Sequence, residues 1–273
     1  MIYDAENNVI DWNEVSTIEE ISRLKEINQN QLYHKEGNAF NHTKMVTEEM
    51  IKLINNQPND RFLDPDYRTI LVLSALLHDV GKYTTSQLGP DGLWHNPNHA
   101  IEGEEIAKDI LEKYDLCNKM WHQAILSLVR YHMQPLYIGE SGNRLRKIIN
   151  KLKGISFVEL VWLKRCDCRG AIMEYDDGCE QKLDNVLDLY YKVCSYPAGT
   201  LVQIKKIKDL KFSGYHPAGI DEGYTNSGKL FAPVTIDWRT YVGRNFSTSP
   251  VKKIIDRNHF ETENSIYEII EIS

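Results

Sequence analysis

The sequence has few cysteines, and their spacing does not suit a structural metal site. The five are Cys117, Cys166, Cys168, Cys179 and Cys194. An odd number without Cys-x-x-Cys spacing indicates reduced thiols of a cytoplasmic protein rather than a disulfide framework. A structural zinc site held by cysteines is therefore not expected.

Long apolar runs and an excess of positive charge are also missing. The longest apolar run, residues 70–77, is far shorter than the roughly 20 residues with which a helix crosses a bilayer, so no membrane partner is expected. The start of the chain, MIYDAENN, offers neither a basic nor an apolar region typical of a secretory signal. The formal net charge of −7 argues against a broadly basic surface for nucleic acid.

The hydrophobic pattern divides the chain of 273 residues near residue 197. Before that point apolar residues recur at helical spacing. Helices are predicted at 18–27 (with Ser16 or Thr17 as N-cap), 41–55, 66–80, 98–114, 119–133, 144–153, 156–173 and 180–194. After it, short β-branched and aromatic runs predict strands from residue 201 and at 234–238, 251–255 and 265–270. The expected fold is an all-α helical bundle at 1–197, followed by a small antiparallel, barrel-like β-domain at 198–273.

The most informative residues are His78 and Asp79, which directly follow the apolar run at 70–77. Burying a carboxylate is costly unless a partner charge or a metal ion compensates it. Gly81 comes two residues later and is expected to end the helix in a left-handed conformation.

Other histidine and aspartate residues also face the inside of predicted helices. His132 continues the apolar face of its helix, and Asp167 follows Leu160 by two helical turns. His42 and His99 lie near the starts of two further helices. This convergence of side chains from separate helices predicts a metal site.

The residue types indicate which metals and which chemistry to expect. Imidazole and carboxylate ligands without thiolates suit Mn, Fe, Co, Ni or Mg. Such an ion polarises a phosphoryl oxygen and activates water, and two ions can clamp the attacking and leaving oxygens. Lys82 is placed to neutralise phosphate charge. Further candidates for binding phosphate are Arg130, Arg146, Arg165 and Arg169.

The order of these residues resembles a known superfamily. The H…HD…D signature of the HD superfamily of metal-dependent phosphohydrolases is matched by His42, His78, Asp79 and Asp167. Three segments are similar to the HD domains attached to bacterial tRNA nucleotidyltransferases: residues 34–43 (HKEGNAFNHT), 76–82 (LLHDVGK) and 129–136 (VRYHMQPL). The resemblance covers about residues 30 to 195.

The resemblance implies specific roles for these residues. The principal metal would be held by His42, His78, Asp79 and Asp167, and His99 and His132 match the added histidines of versions with two ions. One or two divalent ions per chain are therefore expected, with Asp79 and Lys82 as the catalytic residues. Asn98 replaces the glycine that usually precedes the histidine at position 99. Only about forty residues precede His42, so a stand-alone HD hydrolase without a nucleotidyltransferase domain is expected.

The implied activity is hydrolysis of a phosphomonoester or phosphodiester by metal-activated water. A nucleotide, a cyclic nucleotide or a nucleic-acid end would be the substrate. The alternative is a non-catalytic adaptor or nucleic-acid-binding protein that uses its β-domain. In that case the stacking residues would be Phe231, Trp238, Tyr241 and Phe246. Packing in the core of a small barrel accounts for the same aromatic residues, and the oligomeric state stays open.

Overall fold

The structure is a computed structural model. It describes residues 2–56, 60–174 and 177–193, and then the strands at 201–209, 220–225, 235–238, 245–247, 251–254, 259–262 and 265–271. The chain divides into two compact units, Met1–Val186 and Leu187–Ser273.

The first unit is helical, as the pattern predicts. Its α-helices, the last of which runs across the unit boundary, are α1 (Trp12–Val15), α2 (Glu19–Ser22), α3 (Ala39–Asn56), α4 (Pro65–Leu77), α5 (Lys82–Thr85), α6 (His99–Lys113), α7 (His122–Tyr131), α8 (Gly142–Ile149), α9 (Phe157–Gly170) and α10 (Cys179–Val193). Two short antiparallel ribbons pair β1 (Tyr3–Asp4) with β2 (Val9–Ile10), and β3 (Gln87–Leu88) with β4 (Trp94–His95). In the described part of the chain, no helix is both long enough and apolar enough to cross a membrane.

Helix α4 is the centre of this unit and contacts α3, α7 and α9. It begins where Asp64 accepts a hydrogen bond from the backbone N–H of Asp66 and Pro65 occupies the first turn, both of which favour helix initiation. Every residue from Ile70 to Leu77 is buried. The helix therefore ends in the interior, and His78 and Asp79 follow it there.

Helix α9 lies against α3 and α4 and begins with a capping box. The Ser156 side chain caps the helix, and the Glu159 carboxylate accepts a hydrogen bond from the Ser156 backbone N–H. The same carboxylate, fully buried, accepts a hydrogen bond from the Tyr67 hydroxyl on α4. This contact holds α9 against the central helix and thereby positions Asp167, which is on the same helix, in the interior.

The prediction of a single α-helix at 18–27 is wrong, although the segment is helical. The structure has the short helix α2 followed by a 3-10 turn at Arg23–Glu26, and Ser16 ends α1 instead of capping the next helix. The apolar residues at this segment recur every third position, which is the repeat of a 3-10 helix rather than of an α-helix. The apolar residues Ile18, Ile21 and Leu24 of this segment are buried.

Gly81 does not end a helix in the left-handed conformation that the sequence suggests. Its φ is −66°, and it is the N-cap of α5. A Cβ atom at this position would lie 2.1 Å from the carbonyl oxygen of His99 and 2.6 Å from the backbone nitrogen of Gly103. Glycine is needed here because α5 and α6 start against each other, and this contact places His99 near Asp79.

The prediction that the cysteines are reduced thiols is wrong for two of them. Cys168, near the end of α9, is joined by a disulfide to Cys179 at the start of α10, with 6.5 Å between their Cα atoms. Gly178, at φ +70°, turns the chain into α10. Cysteine counting alone cannot show that these two helix ends are adjacent. Cys117 and Cys166 are free, and Cys194 lies outside the described residues.

The second unit contains the expected antiparallel strands. They are β5 (Leu201–Asp209), β6 (Ile220–Thr225), β7 (Thr235–Trp238), β8 (Asn245–Ser247), β9 (Val251–Ile254), β10 (His259–Thr262) and β11 (Ser265–Glu271). Their order is β8-β7-β6-β5-β11-β10-β9, with the long strands β5 and β11 at the centre.

The barrel-like form expected for this unit is not observed among the described strands. A barrel requires the two outermost strands to pair with each other, whereas β8 and β9 are the open edges of this sheet. Trp238 and Phe246 lie in β7 and β8, while Phe231 and Tyr241 fall outside the described residues.

Candidate metal centre

The structure brings all six predicted metal ligands together inside the helical unit. They are His42 on α3, His78 and Asp79 after α4, His99 at the start of α6, His132 at the end of α7 and Asp167 on α9. His99 is partly exposed and the other five are buried. Side chains from separate helices therefore converge, as their inward orientation predicts.

The first cluster consists of His42, His78 and Asp167. Each offers a ligand atom, and these atoms lie within 4.8 Å of one another. The Nε2 atom of His42 is 3.0 Å from Oδ1 of Asp167, and Nε2 of His78 is 3.8 Å from the same oxygen. Metal–ligand bonds of about 2.0–2.2 Å place neighbouring ligand atoms at such separations, so one ion can contact all three groups.

The second cluster consists of Asp79, His99 and His132, which also meet the 4.8 Å limit. The Nε2 atoms of the two histidines are 3.2 Å apart. Oδ1 of Asp79 is 3.3 Å from Nε2 of His99 and 3.8 Å from Nε2 of His132.

Asp79 lies between the two clusters. While Oδ1 faces the second cluster, Oδ2 is 3.2 Å from Nε2 of His78 and 3.6 Å from Nε2 of His42. One carboxylate thus presents an oxygen to each cluster. This arrangement suits a ligand shared by two neighbouring ions.

Hydrogen bonds fix the tautomer of three of the histidines. Nδ1 of His78, His99 and His132 lies 2.8 Å from the backbone carbonyl oxygen three residues earlier in the chain. A carbonyl oxygen only accepts, so each Nδ1 carries the hydrogen and each Nε2 has a free lone pair.

These lone pairs need a cation. The buried Nε2 of His78 has no hydrogen-bond partner in the described structure, and the Nε2 atoms of His99 and His132 face each other. Lone pairs directed at one another and at carboxylates repel unless a positive charge lies between them. The donor set therefore fits a divalent metal ion.

Two nearly buried lysines compensate the carboxylates. The Nζ atom of Lys82 is 2.6 Å from Oδ2 of Asp79, and that of Lys164 is 2.6 Å from Oδ2 of Asp167. Sequence reasoning identified Lys82 and missed Lys164. Lys164 could have been found from its position three residues before Asp167, because residues at this spacing lie on the same face of a helix.

The charged groups around the centre determine whether its carboxylates are protonated. Burial alone raises the pKa of Asp79, but neighbouring positive charge, including that of Lys82 at 2.6 Å, outweighs it and holds this pKa well below its usual range. Asp167 behaves in the same way, because Lys164 and His42 outweigh its burial and lower its pKa.

The histidines divide into two groups. Burial, with the neighbouring His99 and His78, lowers the pKa of His132 to about 3. Burial also lowers the pKa of His99. For His42 the contacts with Asp167 and Glu36 outweigh burial and raise the pKa to about 9. The imidazoles of His99 and His132 in the second cluster are therefore neutral, and the neutral imidazole is the form that binds metals.

The predicted phosphate-binding arginines lie in different places. Arg130 lines a cavity of about 470 Å³ that opens beside His99. Arg165 and Arg169 both pair with Glu180 and so connect α9 with α10. Arg146 is exposed on α8 and is not among the residues described around the cavity. A phosphate-binding role stays a prediction for these side chains, and the geometry favours Arg130.

Comparison with known proteins agrees with this centre. The sequence model of the HD domain family matches residues 39–156, a segment that contains every predicted ligand except Asp167, which follows it on α9. A search of curated proteins found no match. The similarity to tRNA nucleotidyltransferases in particular stays a prediction. The match over residues 39–156 supports placing this helical segment in the HD superfamily.

Proposed function

We propose that this protein is a metal-dependent phosphohydrolase whose centre holds two divalent ions, with Asp79 shared between them. The observation that carries the proposal is the orientation of this carboxylate, with one oxygen toward His42 and His78 and the other toward His99 and His132. The HD-domain match supports the same class of activity.

The charge balance of the centre favours an anionic substrate. Lys82 and Lys164 already neutralise Asp79 and Asp167. The positive charge of divalent ions bound there is then largely uncompensated, and it attracts a phosphate dianion. Such ions supply Lewis-acid polarisation of a phosphoryl oxygen and acidify water at neutral pH. Mn, Fe, Co, Ni and Mg all suit the oxygen and imidazole donors.

Among the residues that the structure describes, Lys82 is the best-placed cation for catalysis. Its ammonium group is held between Oδ2 of Asp79, at 2.6 Å, and Oε1 of Gln29, at 2.7 Å. A positive charge fixed beside the reacting phosphoryl group stabilises the negative charge that develops in the transition state. In the proposal, Asp79 orients both the ions and this lysine.

The cavity beside His99 suits the organic part of the substrate. Its volume of about 470 Å³ lies in the usual range for small-molecule sites. Its polar and aromatic lining comprises Arg130, Lys151, Asn96, Asn98, Gln134, Tyr131 and Tyr137. Amide groups can pair with the edge of a base, the phenol rings can stack on it, and the cations can hold phosphate. A nucleotide, a cyclic nucleotide or a nucleic-acid end is the proposed substrate class.

The test is hydrolysis by protein that has been stripped with a chelator and reloaded with Mn, Co, Ni or Mg. We expect turnover of a generic phosphomonoester or phosphodiester and of nucleotides. Asp79→Asn should abolish it, while Asp91→Asn, which changes an exposed carboxylate paired with His95, should not. No turnover with any of these ions would overturn the proposal, and a salt-dependent gel shift without turnover would favour the binding alternative.

A further inference from the structure

Glu36 is a buried carboxylate next to the metal centre that no ligand assignment uses. It precedes α3, and its side chain is 2% exposed. Oε1 lies 2.7 Å from Nδ1 of His34 and 3.0 Å from Nδ1 of His42. Oε2 accepts a hydrogen bond of 3.0 Å from the backbone N–H of Ile172, just beyond α9. Both oxygens are therefore fixed by named partners.

His34, Glu36 and His42 also have ligand atoms within 4.8 Å of one another, so this group must be distinguished from a third metal site. The Nε2 atom of His42 faces Asp167, at 3.0 Å, and only Nδ1 faces Glu36. An ion on the Glu36 side would require the His42 ring to lose both hydrogens and bridge two sites. A ring that binds through Nε2 instead keeps its hydrogen on Nδ1, where the Glu36 carboxylate oxygen at 3.0 Å attracts it electrostatically, although the two are not aligned as a hydrogen bond.

Gln29 extends the contacts of Glu36 to Lys82. Its Oε1 accepts a hydrogen bond of 2.7 Å from Nζ of Lys82, and its Nε2 donates one of 3.4 Å to Oε1 of Glu36. The direction is fixed because an ammonium group only donates and a carboxylate only accepts. Gln29 is 1% exposed, so water does not compete for these bonds.

We propose that Glu36 is a positioning residue of the metal centre: it fixes the ring orientation and the Nδ1–H tautomer of His42 and, through Gln29, the position of Lys82. The inference rests on the proposed function in one respect, that His42 binds metal. Carboxylates that hold a metal-binding histidine typically change metal affinity by about 10–100-fold when they are mutated.

The test compares metal affinity across matched variants, measured by competition with a chromophoric chelator for Mn or Co. Glu36→Gln keeps the shape and an acceptor oxygen but loses the charge, and we expect about 10-fold weaker binding. Glu48→Gln is the control, because this carboxylate is exposed on the same helix as His42 and should leave affinity unchanged. Wild-type affinity in Glu36→Gln would overturn the inference.

A second measurement separates orientation from overall folding. Side-chain ¹⁵N NMR of the wild-type protein loaded with Mg should show His42 protonated at Nδ1. Protonation at Nε2 instead would overturn the inference even if Glu36→Gln does not fold.

A second variant tests the contact with Lys82. Gln29→Leu should lower kcat while leaving metal affinity at the wild-type level, since it removes only the hydrogen bonds that connect Glu36 with Lys82. If the wild-type protein binds no metal at all, the proposed function fails; if it binds metal and hydrolyses phosphate esters while Glu36→Gln is unchanged, only this inference fails.

Discussion

Gly81 lies so close to Gly103 that the two helix starts touch backbone to backbone. A Cβ atom at position 81 would be 2.6 Å from the Gly103 nitrogen and 2.1 Å from the His99 carbonyl oxygen. The reverse is not true, because a Cβ at position 103 would have its nearest neighbour at 3.4 Å. The two glycines therefore have different tolerance to substitution, although they occupy the same contact.

The first prediction concerns this pair. Gly81→Ala should destabilise the protein by about 1–3 kcal/mol, the usual cost of overpacking, and weaken metal binding by displacing His99. Gly103→Ala should be neutral or stabilising, since alanine is favoured over glycine within a helix by about 1 kcal/mol. Chemical denaturation of the two variants measures the difference. Equal stability of both would contradict the close contact.

The second prediction concerns Asn98, which has a left-handed backbone with φ +59°. The resemblance to HD domains places a glycine here, and asparagine is among the few other residues that adopt this conformation readily. Asn98→Gly should therefore preserve stability, whereas Asn98→Val should cost about 1–2 kcal/mol. Urea denaturation compares the two, and a stable valine variant would argue against the left-handed conformation.

The third prediction concerns metal removal. A ligand that binds only the folded state adds about 2.7 kcal/mol of stability at a concentration 100 times its Kd. Adding Mn or Co to chelator-treated protein should therefore raise Tm. His78→Ala should lose most of this increase. His95→Ala is the matched control, because His95 also lies about 3 Å from an aspartate but in the exposed strand β4; a loss of the Tm increase there would indicate non-specific binding.

The fourth prediction concerns Lys164, the buried cation that sequence reasoning missed. Lys164→Met leaves Asp167 without its partner at 2.6 Å, and breaking a buried ion pair costs about 3–5 kcal/mol. Metal added to this variant should recover much of that loss, since it restores positive charge beside Asp167. The increase in Tm on metal addition should thus exceed that of wild type. Lys52→Met, in an exposed pair with Glu49, should show neither effect.

The sequence allowed much of the helical unit to be predicted, because burial of one helix face leaves a periodic pattern. Helix α4 is buried on every side from Ile70 onward and proved to be central. The inward direction of His132 and Asp167 followed from the same periodicity, so the convergence of the ligands could be expected before any coordinates.

Features that depend on contacts distant in sequence could not be predicted. The Gln29–Glu36 hydrogen bond matters only because Lys82 reaches Gln29 from 53 residues away. The Cys168–Cys179 disulfide depends on how α9 and α10 meet, and the open sheet depends on which edge strands pair. Periodicity describes one element at a time and contains no information about these partners.

The distance along the chain between His42 and Asp167, 125 residues, has a mechanical consequence. An ion held by both would act as a cross-link that joins α3 to α9. A single proteolytic cut in the exposed turn around Gly92 should then leave the two fragments associated while metal is present. Removing the metal should weaken this association, which the packing of α4 against α7 and α9 still supports.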